Sequence, residues 1–445
     1  RGSEPAKVKV QRDYGCQVMD MDLPPIVRLE RQGGGADAIS KAADLLSKAK
    51  FPVMLSGAGV VIGGAIEECK KLAEKLDAPV CNGYQHNDSF PGSHPLAVGP
   101  LGYNGSKAAM ELISKADVVL ALGTRLNPFS TLPGYGIDYW PKNATIIQVD
   151  MNPDRIGLTK KVTVGISGDA KLVANQIFDK LSSKAGDTDR QKRKELIHQT
   201  KSAWLQKLSS LDHEDDDEGT VWNKEARERD KDRMSPRQAW RAIQAGMPDD
   251  VIISSDIGNN CAIVIAYPTF EKPRKYLAPG LFGPCGYGFP SILGAKIGCP
   301  DTPVIGFAGD GAFGISMNEM SSCAREEWPA ITMVIFRNYQ WGAEKRNTTL
   351  WFDDNFVGTE LDPKLSYAKV ADACGLKGVT VKTMEETTNA IKQSCEDQKK
   401  GITTFIEVIL NQELGEPFRR DAMKKPVRVA GIKKEDMKKQ PSLNS

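Results

Sequence analysis

Twice along this chain, short apolar runs alternate with segments of helical period. In residues 36 to 185 the runs are Pro52-Val53-Met54-Leu55, Pro79-Val80-Cys81, Val118-Val119-Leu120-Ala121-Leu122 and Thr145-Ile146-Ile147-Gln148-Val149. In residues 235 to 415 they are Val251-Ile252-Ile253-Ser254, Val304-Ile305-Gly306-Phe307, Ile331-Thr332-Met333-Val334-Ile335-Phe336 and Phe405-Ile406-Glu407-Val408. Runs so short and so rich in Val and Ile read as strands buried on both faces, and a helix between two of them returns the chain to begin the next strand parallel to the last. The expected fold class is therefore α/β, with two doubly wound parallel-sheet domains. Glycine-rich turns follow the strands of the second domain, which is where open sheets of this kind bind ligands.

The second domain opens at Ser235-Pro236, an N-cap followed by proline at the first helical position, with Ala239, Trp240 and Ile243 at helical spacing behind it. Between the domains, residues 186 to 234 carry the acidic run Glu214 to Glu218 and mixed charges from Lys224 to Arg233, with no sustained apolar stripe after Trp204. This segment is expected to be a linker whose charges are solvated. Residues 416 to 445 are basic and poor in large apolar groups, and are expected to form a surface arm. The chain begins with Arg1, and Lys7-Val8-Lys9-Val10 alternates like a strand in progress, so residues 1 to 30 read as the end of a domain begun earlier.

Composition narrows the class of partner. Among 445 residues, 59 basic against 57 acidic side chains leave a formal net charge of +2, which gives no general attraction to nucleic acid or an anionic membrane. No apolar run reaches the roughly 20 residues of a membrane-spanning helix, and no signal-peptide pattern opens the chain. Small molecules are the expected partners, and the cytoplasm the default location, or an organelle. Nine scattered cysteines without a CxxC spacing read as reduced core thiols.

The chemistry concentrates at Gly309-Asp310-Gly311, directly after a strand, with Asn338 at the end of another strand and 26 residues between Gly311 and Asn338. Glycines let the backbone approach a phosphate closely, and the aspartate and the amide each supply a hard oxygen. Together they describe a Mg2+ site that holds a diphosphate, with phosphate oxygens, a water and one main-chain carbonyl, for which Gln340 is the candidate, completing six ligands.

This arrangement resembles the signature of thiamine-diphosphate enzymes, and two more segments agree with it in the same order. Ser255-Asp256-Ile257-Gly258-Asn259-Asn260 resembles the diphosphate-contacting turn of that family, and Gly283-Pro284-Cys285-Gly286-Tyr287-Gly288-Phe289-Pro290 resembles its aminopyrimidine-contacting turn. The resemblance implies a cofactor site made by Ile257, Gly258, Asn259, Asn260, Gly283, Cys285, Gly309, Asp310, Gly311, Ala312 and Asn338, with Asp310, Asn338 and Gln340 on the metal. It implies that the Gly283 carbonyl accepts from the exocyclic amine of the cofactor. The family usually has Met, Leu or Ile where Cys285 stands, so Cys285 is either a slighter wedge under the bent cofactor or a core thiol. The common Asn-Asn pair of the family is Arg337-Asn338 here, with the ligand position kept. The glutamate that serves the aminopyrimidine in the family lies in a first domain, and no acidic residue of this chain is assigned that role, so acetyl transfer by the chain alone is not expected.

Further strings resemble the branch of that family that acts on sulfoacetaldehyde and phosphate in sulfonate breakdown: Gly83-Tyr84-Gln85-His86-Asn87-Asp88, Gly99 to Lys107, Phe336 to Asn347, and Phe418 to Pro426. The resemblance implies an acetyltransferase without FAD, assembled as a homodimer or homotetramer. Both substrates are anions, so cations and amide donors are expected around them: Lys345, Arg346 and Asn347 just after the metal turn, and His86 and Asn87 on a loop that would reach the same cleft. Surface cations and a loop-stabilising hydrogen bond are the plainer readings of these residues. An acetolactate synthase-like carboligase, which typically holds FAD in its middle domain, and a cofactor-binding fragment without turnover are the alternatives.

Overall fold

The computed structural model describes residues 30–182, 187–210, 228–280, 282–351 and 355–412. The two expected sheets are both present, each of six strands and all parallel. In the first, β1 (Pro52–Ser56), β2 (Val80–Asn82), β3 (Ala97–Pro100), β4 (Val118–Leu122), β5 (Thr145–Asp150) and β6 (Val164–Ser167) lie in the order β3-β2-β1-β4-β5-β6. Every residue of β1 and β4 is buried. Helices Ala36–Lys48, Ile66–Leu76, Lys107–Ile113 and Ala170–Lys180 pack apolar faces into the same core, with Leu46, Leu72, Leu112 and Ile177 almost wholly enclosed.

The second sheet holds β7 (Ile252–Ser255), β8 (Tyr276–Leu277), β9 (Val304–Gly309), β10 (Thr332–Arg337), β11 (Lys377–Val381) and β12 (Thr404–Ile409), in the order β11-β12-β10-β9-β7-β8. From β7 the chain moves outward to the edge strand β8, then crosses back to β9 and proceeds the other way through β10. That reversal makes β7 and β9 the switch point, where connections leave neighbouring strands in opposite directions and open a crevice at their carboxyl ends. Asp256 and Asp310 are the first residues beyond those two ends. The N-cap read from the sequence is a full capping box: Ser235 Oγ accepts the Gln238 N–H, Gln238 Oε1 accepts the Ser235 N–H, and Pro236 takes the first helical position.

The segment expected to be a solvated linker is not one where it is described. Residues Asp187–Ser210 form a helix of 24 residues. Its attachment combines the buried apolar side chains Ile197 and Trp204 with polar anchors at its start. The buried Arg193 donates to the carbonyls of Lys50, Leu76 and Asp77, and Arg190 donates to Lys75 O and pairs with Asp77. These carbonyls include the last ones of helix Ile66–Leu76, which have no partner within their own helix. Farther along, Trp204 sets its ring edge against Tyr135. Asp230, also placed among solvated charges, is buried between Arg229 and Arg233. The acidic run Glu214 to Glu218, the opening residues 1 to 29 and the basic arm lie outside the described residues.

The core-thiol reading holds for Cys69, Cys81, Cys323 and Cys395, whereas Cys285 and Cys299 are exposed. The two sheets meet at a joint built on the loop after β2. Asn87 Nδ2 donates to Ile265 O at 2.6 Å and Pro268 O at 3.1 Å, Gly92 N–H donates to Phe270 O, and Asp88 accepts the Lys275 N–H. No helix among the described residues is long and apolar enough to cross a membrane.

Candidate functional site

The crevice at the β7/β9 switch point is organised by two buried aspartates. Asp310 follows β9 directly; its Oδ1 accepts the Gly311 N–H at 2.9 Å, and its Oδ2 accepts the Tyr339 N–H at 2.7 Å and Arg337 Nη1 at 3.0 Å. Burial pushes the Asp310 carboxyl up to about 6, against the opposing pull of Arg337 and the two amides. Asp256 follows β7, and burial raises its carboxyl as well, opposed by backbone donors. One oxygen accepts the N–H groups of Ile257 and Gly286, and the other accepts that of Gly288. The two turns read as cofactor-contacting from the sequence are therefore fastened to each other by one carboxylate. Asp256 was not among the expected site residues; its position in the turn was visible, but its partners lie 30 and 32 residues away.

Asn338, after β10, is 3% exposed, and its Oδ1 has no hydrogen-bond partner. Gln412 Nε2 holds the main-chain carbonyl of Asn338 at 3.2 Å. Tyr339 next to it has φ +61°, the left-handed conformation that turns the chain sharply. Gln340 then pairs with Glu360 in an antiparallel bridge whose hydrogen bonds are Trp341 N–H to Thr359 O and Leu361 N–H to Tyr339 O. Because these bonds belong to the flanking residues, the Gln340 carbonyl faces away from Glu360.

A divalent cation holding a diphosphate fits this geometry. An amide oxygen buried without a partner is costly unless something ligates it, and Asn338 Oδ1 is such an atom, on the residue just before Tyr339, whose N–H Asp310 accepts. Gly258, with φ +112°, opens helix Asn259–Ala266, and a Cβ there would meet nothing within 4 Å, which leaves room above the first turn. Gly311 and Gly342 are glycine for the opposite reason: a Cβ would lie 2.8 Å from the Trp341 ring and 2.6 Å from Asn259 Nδ2, respectively. Among the described residues no cluster of three or more His, Cys, Asp or Glu side chains is assembled. One carboxylate with amide and carbonyl oxygens suits a cation that takes its remaining ligands from phosphate and water.

Ile257, Gly258 and Asn259 stand at the β7 end, Gly309, Asp310, Gly311 and Ala312 at the β9 end, and Asn338 and Gln340 after β10, as the spacing requires. The side chain of Asn260 lies outside the described residues. Gly283 and Gly286 have φ of +63° and +87°, so the second turn depends on glycine. Cys285 is exposed on it, which removes the core-thiol alternative.

The expected substrate contacts fare differently. Lys345 is buried, paired with Glu360, 3.4 Å from Gln412 Oε1 and 5.2 Å from the Phe356 ring centroid. It is a brace for the residue that holds the Asn338 carbonyl, not a surface cation. The side chains of Arg346 and Asn347, on helix Gly342–Trp351, lie outside the described residues. Asn87 is engaged at the domain joint, and its amide protons serve the carbonyls of Ile265 and Pro268. His86 lines a separate cavity of about 470 Å³ at the carboxyl ends of β1 and β4, with Arg31, Arg125 and Arg155, and the cavity lining includes neither Asp310 nor Asn338. Burial and the nearby Arg125 lower the His86 pKa to about 4, so the ring is neutral.

Comparison with known proteins agrees with both domains. Residues 39–177 match the family described as thiamine pyrophosphate enzyme, central domain, and residues 256–408 match its C-terminal TPP binding domain. A "Probable sulfoacetaldehyde acetyltransferase" of Rhizobium meliloti is 76% identical over 99% of this chain and 74% of its own length. The sulfoacetaldehyde acetyltransferase of Roseovarius nubinhibens is 70% identical over 99% of this chain and 73% of its own. The crystal structure of benzoylformate decarboxylase from Polynucleobacter necessarius superposes with a TM-score of 0.67 at 18% identity, covering 89% of this chain and 68% of that one, a likeness of fold alone.

Proposed function

We propose, since this chain belongs to the sulfoacetaldehyde acetyltransferases among the thiamine pyrophosphate enzymes, that it converts sulfoacetaldehyde and phosphate to acetyl phosphate and sulfite. The observation that supports its cofactor site best is the buried, unpartnered Asn338 Oδ1, on the turn that Asp310 fastens through the Tyr339 N–H. In this reading Asp310, Asn338 Oδ1 and the Gln340 carbonyl hold Mg2+. The first residues of helix Asn259–Ala266, with the open space at Gly258, receive the diphosphate through backbone N–H groups. When bound, thiamine diphosphate supplies the nucleophilic carbon that takes up the aldehyde and allows the carbon–sulfur bond to break towards sulfite.

The residues of the chain set where that happens. Asp256 fixes the spacing between the diphosphate turn and the turn 283–288, where the Gly283 carbonyl would accept from the exocyclic amine of the cofactor and Cys285 would contact it as a wedge. Tyr339 and Gln340 keep the metal turn in register with Thr359 and Leu361. Phe282 is 91% exposed, and Ile315, against Gly286, is also exposed, so the apolar rim here is suited to cover by a second copy in a homodimer. The net reaction moves an acetyl group without an external electron acceptor, so a flavin would have no redox role in it. The test is sulfite release from sulfoacetaldehyde by the native enzyme in phosphate buffer. Acetolactate formation from pyruvate with no sulfite release, or a yellow flavin-containing enzyme, would overturn the reading.

A further inference from the structure

Arg337 is the last residue of β10 and is 0% exposed. Its guanidinium reaches four residues at once. Nη1 donates to Asp310 Oδ2 at 3.0 Å, Nη2 donates to Asp362 O at 2.6 Å and Leu365 O at 3.0 Å, and Nε lies 3.5 Å from Glu407 Oε1. The guanidinium also sits 4.2 Å from the centroid of the Tyr339 ring, which a second cation, Arg233, approaches at 4.9 Å. Arg233 is in turn held by the buried Asp230. Tyr339 is the residue in left-handed conformation whose N–H completes the bonding of Asp310 Oδ2.

Two consequences follow from counting. Asp310 Oδ2 has two donors and Oδ1 has one, so a free lone pair remains on Oδ1, and that is the oxygen available to a metal. Asp310 and Glu407 bring two negative charges to one cation, and the remaining partners of Glu407 are Ser366, Thr380 and the Tyr367 N–H, all neutral. Arg337 thus holds the Asp310 carboxylate through Oδ2, with its charge shared between two carboxylates, and leaves Oδ1 open to a divalent cation.

We infer that Arg337 is a positioning residue that pre-forms the metal turn, fixing the Asp310 carboxylate and the Tyr339 conformation before any metal arrives. The inference rests on the proposed cofactor site and adds that the site is ordered in the cofactor-free protein. A turn that is already formed binds without the penalty of a sparsely populated competent state: if only a fraction f of molecules has the turn in place, the apparent Kd rises by 1/f.

The test is amide hydrogen exchange of the native enzyme, resolved at Tyr339, with and without Mg2+ and thiamine diphosphate. In the wild type the Tyr339 amide should already be protected in the cofactor-free protein, and Mg2+ with thiamine diphosphate should only add to that protection. In Arg337→Met its exchange without cofactor should quicken by about tenfold or more, while the amides of Thr404–Ile409 keep their protection. Cofactor should restore the slow rate, and the Kd for Mg2+ at saturating thiamine diphosphate should rise by 1/f, where f is the fraction of Arg337→Met molecules in which exchange shows the turn to be formed. Arg337→Lys, which keeps the charge but not the fork that also holds Asp362 and Leu365, should fall between the two. A wild-type Tyr339 amide that gains protection only with cofactor would overturn the inference, as would wild-type protection of it in cofactor-free Arg337→Met. If Arg337→Met loses protection throughout β12 as well, the wild-type comparison decides alone. Absence of Mg2+-dependent thiamine diphosphate binding in the wild type would instead defeat the proposed function, whatever the state of the turn.

Discussion

The carboxylate of Asp256 accepts the N–H of Gly288 at 2.7 Å, across 32 residues of chain, and the same side chain takes the N–H groups of Ile257 and Gly286. Replacing Asp256 with Ala leaves three backbone donors seeking partners inside a buried turn. The expected loss is about 2–4 kcal/mol of folding stability in urea titrations, since hydrogen bonds to a charged acceptor are individually worth about 1.5–3 kcal/mol. Thiamine diphosphate affinity should fall with it. Wild-type affinity in Asp256→Ala would mean that the two turns keep their spacing without this carboxylate.

Asp310 and Asn338 should separate in their effects. Asp310→Ala should remove the Mg2+-dependent part of thiamine diphosphate binding and destabilise the cofactor-free protein as well, because it removes the buried acceptor of Arg337 Nη1 and of the Tyr339 and Gly311 N–H groups. Asn338 Oδ1 has no partner to lose, so Asn338→Ala should weaken Mg2+ binding by about tenfold, roughly 1.4 kcal/mol, while changing unfolding stability by no more than about 1 kcal/mol. Calorimetry and urea titration read the two quantities separately, and unchanged Mg2+ affinity in Asn338→Ala would remove it from the metal site.

Gly258→Ala carries two penalties of different origin. With φ +112° and ψ −167°, an L-residue there is strained by about 1–3 kcal/mol in any state of the protein. The added methyl also enters the open space assigned to the diphosphate. The variant should therefore lose cofactor affinity beyond its loss of stability, and equal affinity would place the diphosphate elsewhere.

His86 and Asp88 should tilt stability against pH in opposite senses. The folded pKa of His86 is lowered from 6.5 to about 4, first by burial and then by Arg125, so its contribution is present above 6.5 and is lost as pH falls towards 4. The folded pKa of Asp88 is raised from 3.8 to about 6 by burial, so its contribution is present below 3.8 and is lost as pH rises through 6. Between about 4 and 6 the two slopes largely offset each other. Relative to wild type, His86→Gln should lose its disadvantage as pH falls from 7 to 4, and Asp88→Asn should lose its disadvantage as pH rises from 4 to 7, each by up to about 3 kcal/mol. Thermal melts across this range that run parallel for wild type and either variant would show that the group titrates normally.

Local patterns made much of this legible. Val304 to Phe307 followed by Gly309-Asp310-Gly311, and Ile331 to Phe336 followed by Asn338, are contiguous stretches whose period and end residues place the oxygens on adjacent strand ends. Ser235 was readable as a cap because its partner is Gln238, within a single turn. What escaped depends on partners distant in sequence. Asn87, read as a substrate contact, finds its acceptors 178 and 181 residues away. Lys345 has its carboxylate partner at Glu360, across a bridge that no periodicity signals. Helix Asp187–Ser210 buries only a sparse apolar set, Ile197 and Trp204, and its first turns are anchored by guanidinium groups on carbonyls, which hydropathy patterns do not register.

The domain joint has a mechanical consequence. Asn87 belongs to the central domain, yet it grips Ile265 O and Pro268 O, at the far end of the helix whose first residues, Asn259 and its neighbours, face the diphosphate space. Eight residues make that helix a rod about 12 Å long. A slip of about 1 Å at the Asn87 end would swing the rod by about 5°, within the geometry of its 1.5 Å rise per residue. The central domain thus acts as the bearing for a lever whose tip borders the space proposed for the diphosphate, and the aim of that tip is adjusted from a point with no atom in the site.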